Sequence, residues 1–393
     1  MMDERFSHRG LSALIATGRL TDWAGSEVVT VELAEEMAAQ GVRVTVYAHC
    51  MDAVRQEALL AAGAWRVTSN PNEVSVADFD VVYSQQNALT RLITPGVVDA
   101  MQQVGLPFFV FGHLSSFIEM EAPLSRLEWE LADVFVANSE ETRAHLRAFG
   151  AAYDATIVVP NPVPRGFLAP LPPPSEGRRA LIVSNHVPAE LAGARRMLIQ
   201  RGWTVDILGR DGVQAMIQPH MLAPYAAVIS IGKTVQMALM AGRAVYCYDH
   251  FGGPGWLTPE NVEAAAQRNF SGRCTPTRKT SAEIVRDIEA GPPAAPIAVR
   301  RSRYSLRAWV RLLLRTVGVR PKPVPGEEMT AELRRLAALD KALSTICVQA
   351  FDSFYHWRRA EEMGRELAAL KNLCLQQRQL IDRLTQGAAG SGD

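Results

Sequence analysis

Gly232-Lys233-Thr234 places a cationic side chain and a glycine turn between an apolar run, Tyr225 to Ile231, and a set of good helix formers, Val235 to Ala241. Backbone N–H groups at a helix start carry partial positive charge and point outward, so with a lysine beside them they make an anion site. Gly242 stops the helix, and a second apolar run from Ala244 to Tyr248 feeds Asp249-His250-Phe251-Gly252-Gly253-Pro254-Gly255-Trp256. Strand, turn, helix, strand and turn within about thirty residues is the form of a βαβ unit. The chemistry it points to is the holding of a diphosphate by Gly232, Lys233, Thr234, Gly252 and Gly253. The earlier glycine of GxxxxGK is absent, so this is not a P-loop.

Other polar residues stand where apolar runs end. His113 follows Pro107 to Phe111, Ser139 follows Asp133 to Ala137, and Asn161 follows Thr156 to Val159. In a parallel sheet, ligands gather beyond the carboxyl ends of the strands. Asn185 ends the run Arg179 to Val183, and Arg210 ends the run Thr204 to Leu208. Near the start, Leu11 to Ala16 leads through Gly18 and Gly25 into a helix from Ser26 to Gln40, with Ser26 as its cap and Glu27 in its first turn. Gly18 and Gly25 do not make GxGxxG, and this loop reads equally as an ordinary βα turn or as a ligand loop.

A chain of 393 residues, 48% of them hydrophobic, can build two ordinary domains. Lys+Arg and Asp+Glu both number 41, so no global field recruits nucleic acid, and none is expected as a partner. Five scattered cysteines without CxxC or a Cys/His cluster read as reduced intracellular thiols, not a zinc site. No apolar run reaches spanning length and no secretion signal is evident, so a cytoplasmic protein is expected.

Alternating apolar runs and helical stretches divide at Pro170-Leu171-Pro172-Pro173-Pro174. The expected class is α/β: two Rossmann-like domains, 1–165 and 178–320, facing across a cleft. Beyond Pro321-Lys322-Pro323-Val324-Pro325, residues 327–386 are glycine-poor, with Met363, Leu367, Leu370, Cys374, Gln377, Ile381 and Leu384 at 3-4 spacing. A coiled coil or helical hairpin that joins copies of the chain is one reading, a packed helix the other; a disordered tail over 387–393 is expected. Arg303, Arg307 and Arg311 lie four apart, opposite Leu306, Val310, Leu313 and Leu314. Such a helix either closes a domain or rests on anionic lipid at the inner membrane.

Together these motifs resemble the GT-B glycosyltransferases, in particular the large nucleotide-sugar-dependent family and its bacterial surface-polysaccharide branch. The resemblance is carried by Ala24-Gly25-Ser26-Glu27 with Gly41 to Val46, by Ala137-Asn138-Ser139-Glu140 with Val158 to Val163, and by Ala238 to Val245 with Gly252-Gly253. It covers residues 10 to 290. It implies transfer of a hexose from a UDP- or GDP-linked sugar to a glycan or lipid-linked acceptor, with retention of configuration. It also implies no cofactor and no metal. The phosphates would meet Gly232, Lys233, Thr234, Arg210, Asn185, Gly252 and Gly253, and the ribose Gln236. Catalysis would fall to His113 and Glu27, with Gly25, Ser26 and Ser139 on the acceptor side. The family's paired glutamates fall at Ile229 and Met237 here. A catalytically degenerate GT-B body acting as a binding or scaffolding module through its helical tail is the alternative.

Overall fold

Strands buried on both faces read as continuous apolar runs, the pattern of a parallel sheet covered by helices on either side. The computed structural model describes residues 10–116, 121–174, 177–210, 212–292, 297 and 300–389, and every residue of the first strand is buried in it. The first domain runs β1 (Ser12–Leu20), α1 (Gly25–Ala39), β2 (Arg43–Met51), α2 (Ala53–Ala61), β3 (Arg66–Thr68), β4 (Val81–Ser84) and α3 (Pro95–Val104). It continues with β5 (Phe108–His113), α4 (Leu127–Leu131), β6 (Val134–Ala137), α5 (Glu140–Arg147) and β7 (Ile157–Val158). Its parallel sheet has the order β3-β2-β1-β4-β5-β6-β7.

The second domain follows with β8 (Arg179–Val183), α6 (Ala189–Gln200), β9 (Thr204–Leu208), α7 (Pro219–Leu222), β10 (Ala227–Ser230), α8 (Lys233–Met240) and β11 (Ala244–Asp249). It ends with β12 (Gly252–Trp256), α9 (Val262–Gln267) and α10 (Ser281–Ala290), in a sheet of order β12-β11-β10-β8-β9. Only β12 runs antiparallel. The expected glycine turn is this edge strand. A Cβ at Gly253 would lie 2.1 Å from the Cys247 carbonyl oxygen, so the hairpin closes only around a glycine. Local chemistry sets several helix starts. Ser139 accepts a hydrogen bond from the Thr142 amide, and Thr280 with Glu283 forms a capping box. By contrast α1 begins at Gly25 on an Ala24 cap with no side-chain bond, and Ser26 turns to Glu27 instead.

Two helices at the end return to the first domain. In α11 (Leu306–Val319), Leu306, Val310, Leu313, Leu314 and Val317 are buried in one core with Val31, Leu33 and Val110. This stretch, included in the expected domain 178–320, therefore packs on the first domain, because its apolar stripe fits α1. Arg303 pairs with Glu263 at 3.6 Å. The outgoing and returning chains are bonded to each other: the Val163 amide donates to the Tyr304 carbonyl at 2.6 Å, and the Leu306 amide to the Val163 carbonyl at 3.1 Å.

Residues 327–386 form neither a hairpin nor a separate domain but part of one helix, α12 (Glu327–Ala389), about 95 Å long at 1.5 Å per residue. The expected disordered tail is helical through Ala389, and 390–393 lie outside the described residues. Leu333, Leu336 and Ala337 join the core around Val98, Met101 and Leu131, and Asp340 accepts from the Ser125 hydroxyl. Beyond Phe351, Met363, Leu367 and Leu370 are exposed. We expect Leu333→Ala to lower stability by about 2–5 kcal/mol, the cost of a cavity at a fully buried leucine. A urea midpoint within error of the unmodified chain would show that α12 does not depend on this contact.

Candidate functional site

Strand order reverses between β1 and β4 in one sheet and between β8 and β10 in the other, so each sheet opens a crevice at its carboxyl edge. These edges face each other across a cleft of about 590 Å³. Gly25, Ser26, Gln86, Glu121 and Asn138 line the first-domain wall, and Ser184, Asn185, Gly209, Arg210, Gly232, Lys233 and Thr234 the second.

On the second wall, the Ser184 hydroxyl donates to Asp249 Oδ2 at 3.0 Å and accepts from the His186 amide. Gly209 lets the backbone after β8 pass close to the end of β9, since a Cβ there would sit 2.1 Å from the Ser184 carbonyl oxygen. Gly232 caps α8 at φ 64°, and a Cβ on it would meet nothing within 4 Å, so the helix start is open to the cleft. Its own N–H is used, donating to the Phe270 carbonyl at 3.0 Å. Gln236 is 1% exposed and donates to Asn269 Oδ1 at 3.1 Å, an atom that also accepts from Asn161 at 2.9 Å. Asn269 and Phe270 take φ of 52° and 51°, a left-handed pair of the kind held only by surrounding structure. Gly252 and Gly253 are consumed by the β12 hairpin and do not reach the cleft wall.

Lys233 is 8% exposed, and its ammonium lies 2.6 Å from Glu32 Oε2 and 2.5 Å from the Pro162 carbonyl oxygen. Its charge thus clamps α8 to α1. Burial pushes the Glu32 carboxyl up to about 7, against the pull of the lysine. Arg273 and Arg268 both reach Glu141, in the first turn of α5, at 2.5 and 3.2 Å. Cations of the second domain are therefore spent on carboxylates of the first. Arg210 borders the cleft, 3.9 Å from Glu361 of α12.

On the first wall, Glu27 lies beneath the surface, fully buried, with Arg19 Nε at 3.0 Å from Oε1 and the Ser26 hydroxyl at 3.0 Å from Oε2; burial raises its carboxyl above the usual range. His113 also lies under the wall, its Nε2 3.4 Å from Glu128 and its Nδ1 3.3 Å from the Glu121 carbonyl oxygen. Burial disfavours the imidazolium, but Glu128 and Glu121 together outweigh it and raise the histidine. Ser139 is spent on its helix cap, while Asn138 and Thr142 face the cleft. Glu121 does reach the cleft. Its Oε1 accepts from Gln86 Nε2 at 3.1 Å and its Oε2 from the Leu114 amide at 3.3 Å, and burial raises its carboxyl. Gln86 adopts φ 59° and links Glu121 to the Gly18 amide and the Ser26 hydroxyl. Applying the strand-end rule to Asp80–Ser84 finds Gln85 and Gln86. Glu121 sits in a loop with no periodic signal. Among the described residues no three His, Cys, Asp or Glu are grouped to hold a metal ion, and no helix is long and apolar enough to cross a membrane.

Residues 23–166 match the model of Glycosyltransferase Family 4. The matched segment is the first domain from the residues after β1 onward, with the wall that carries Ser26, Gln86, Glu121 and Asn138. No curated protein matches the chain. Among solved structures, Anabaena HepE in complex with UDP-glucose is 12% identical at a TM-score of 0.49, covering 85% of this chain and 100% of that one. A glycosyltransferase from Rickettsia africae ESF-5 is 11% identical at 0.45, over 85% and 98% of the two chains. MurG of Acinetobacter baumannii is 14% identical at 0.39, over 85% and 99%. Two Rossmann-like domains facing across a cleft are the GT-B arrangement the motifs implied.

Proposed function

We propose that the protein moves a sugar from a UDP- or GDP-linked donor to a hydroxyl of a glycan or lipid-linked acceptor in surface-polysaccharide synthesis. The observation that supports this most is the cleft itself, with an open helix start on one wall and a buried carboxylate on the other. In this reading the Lys233 and Thr234 amides, with Ser184 and Asn185, hold the diphosphate, whose charge grows as the C1–O bond breaks. The Lys233 side chain keeps the domains closed around it. Glu121 takes the proton of the acceptor hydroxyl as that oxygen bonds to C1. His113 and Glu27 position this wall, the first beneath Glu121 and the second through Arg19 and Ser26. No metal is required in this scheme, because helix amides supply the positive charge.

One observation favours the catalytically degenerate reading instead: Lys233 and Arg273 are both paired with first-domain carboxylates, leaving fewer cations for a diphosphate. Thermal shift with UDP, GDP and their sugars tests the proposal. At a hundredfold excess over Kd a ligand stabilises by about 2.7 kcal/mol, a shift of several degrees. No shift with any nucleotide at millimolar concentration defeats the enzyme reading; a shift without transfer or hydrolysis favours the degenerate one.

A further inference from the structure

The long C-terminal helix belongs to the cleft. Phe351 of α12 is 1% exposed, its ring 5.7 Å from that of His49, and a Cβ at Gly18 would lie 2.1 Å from it. The helix thus crosses directly over the carboxyl ends of β1 and β2. Ten residues on, Glu361 approaches Arg210 at the end of β9 in the other domain. Residues four apart share a helix face, so Trp357 points the same way as Glu361, one turn nearer the first domain. Trp357 lines the cleft and is 53% exposed.

The second-domain wall at that end is made by Leu208, Gly209, Ala215, Met216 and Ile217, with Arg210 and Gln214 beside them. β9 lies two strand spacings from β10, about 10 Å across the sheet. A nucleotide whose phosphates rest at the start of α8, after β10, reaches that wall with its base. A planar heterocycle needs aromatic or apolar partners for its faces, and the lining of this cleft carries both the Trp357 indole and this wall.

Resting on the nucleotide-sugar reading above, we propose that Trp357 is the stacking platform for the base of the bound nucleotide, so that α12 completes the donor site. The experiment is calorimetric titration of the full chain with UDP, GDP and, as a base-free control, inorganic pyrophosphate. Stacking of one base on an aromatic ring is worth on the order of tenfold in affinity. Trp357→Ala should weaken UDP or GDP about tenfold while pyrophosphate stays within twofold of the unmodified chain, and Trp357→Phe should keep most of the nucleotide affinity. Unchanged nucleotide affinity in Trp357→Ala overturns the inference and leaves the transferase reading standing; the indole then serves another occupant, such as an acceptor sugar ring. Equal losses for nucleotide and pyrophosphate also overturn it. An unmodified chain that binds neither nucleotide overturns the transferase reading and this inference with it.

Discussion

Above about pH 7, where Glu32 is ionised, replacing Lys233 with alanine is expected to lower stability by about 3–5 kcal/mol, because it leaves the buried carboxylate without its cation. The loss belongs to the unpaired charge and not to the pair as such. Lys233→Met combined with Glu32→Leu is therefore expected to recover most of it, since apolar replacements of similar volume often match a buried ion pair. Denaturant midpoints of the single and double variants decide this, and equal losses in both would show that Lys233 matters for another reason. The burial of Glu32, against the pull of Lys233, also sets a pH dependence. The folded-state carboxyl of Glu32 stands at about 7 against an ordinary 4.5. Between those values the folded chain binds a proton that the unfolded chain has released, so the contribution of this group is full below about pH 4.5 and lost as pH rises to about 7. Glu32→Gln should flatten that part of the stability profile.

Glu121→Gln is expected to lower turnover by about 10²- to 10⁴-fold, the usual contribution of a general base, with nucleotide affinity nearly unchanged. The amide keeps the shape and can still bond to Gln86 but cannot take a proton. Burial raises the Glu121 carboxyl, and the base must be ionised to act. The acid limb of the rate profile should therefore lie above the ordinary carboxylate range and disappear in the variant. Turnover within threefold of the unmodified chain would remove Glu121 from the chemistry. His113→Gln gives a useful contrast. Its side chain touches Glu121 only through the backbone carbonyl oxygen, so the effect should be smaller and accompanied by loss of stability.

Much of the molecule follows from short-range rules. The strands Arg179–Val183 and Thr204–Leu208 and the helix Pro95–Val104 stand where their apolar runs and caps place them. The helix start at Gly232 opens on the cleft because a βα turn in a parallel sheet must face that edge. Gly252 and Gly253 look the same in sequence but serve a hairpin. A glycine's need for positive φ does not say whether a ligand or a backbone carbonyl approaches it.

The amino-acid sequence by itself determined two Rossmann-like halves and the strand ends that border the cleft, because periodicity, capping and turn chemistry act over a few residues, while the GT-B resemblance rested on short motifs. Tertiary structure alone decided which polar groups meet across the cleft. Glu32 finds Lys233, Glu141 finds Arg273, and Gln86 finds Glu121, each pair joining distant elements with no shared local pattern. It also decided that α11 and α12 return to the first domain. An amphipathic stripe states that a helix needs a partner, while the surface it finds depends on shape and contacts far away in the chain.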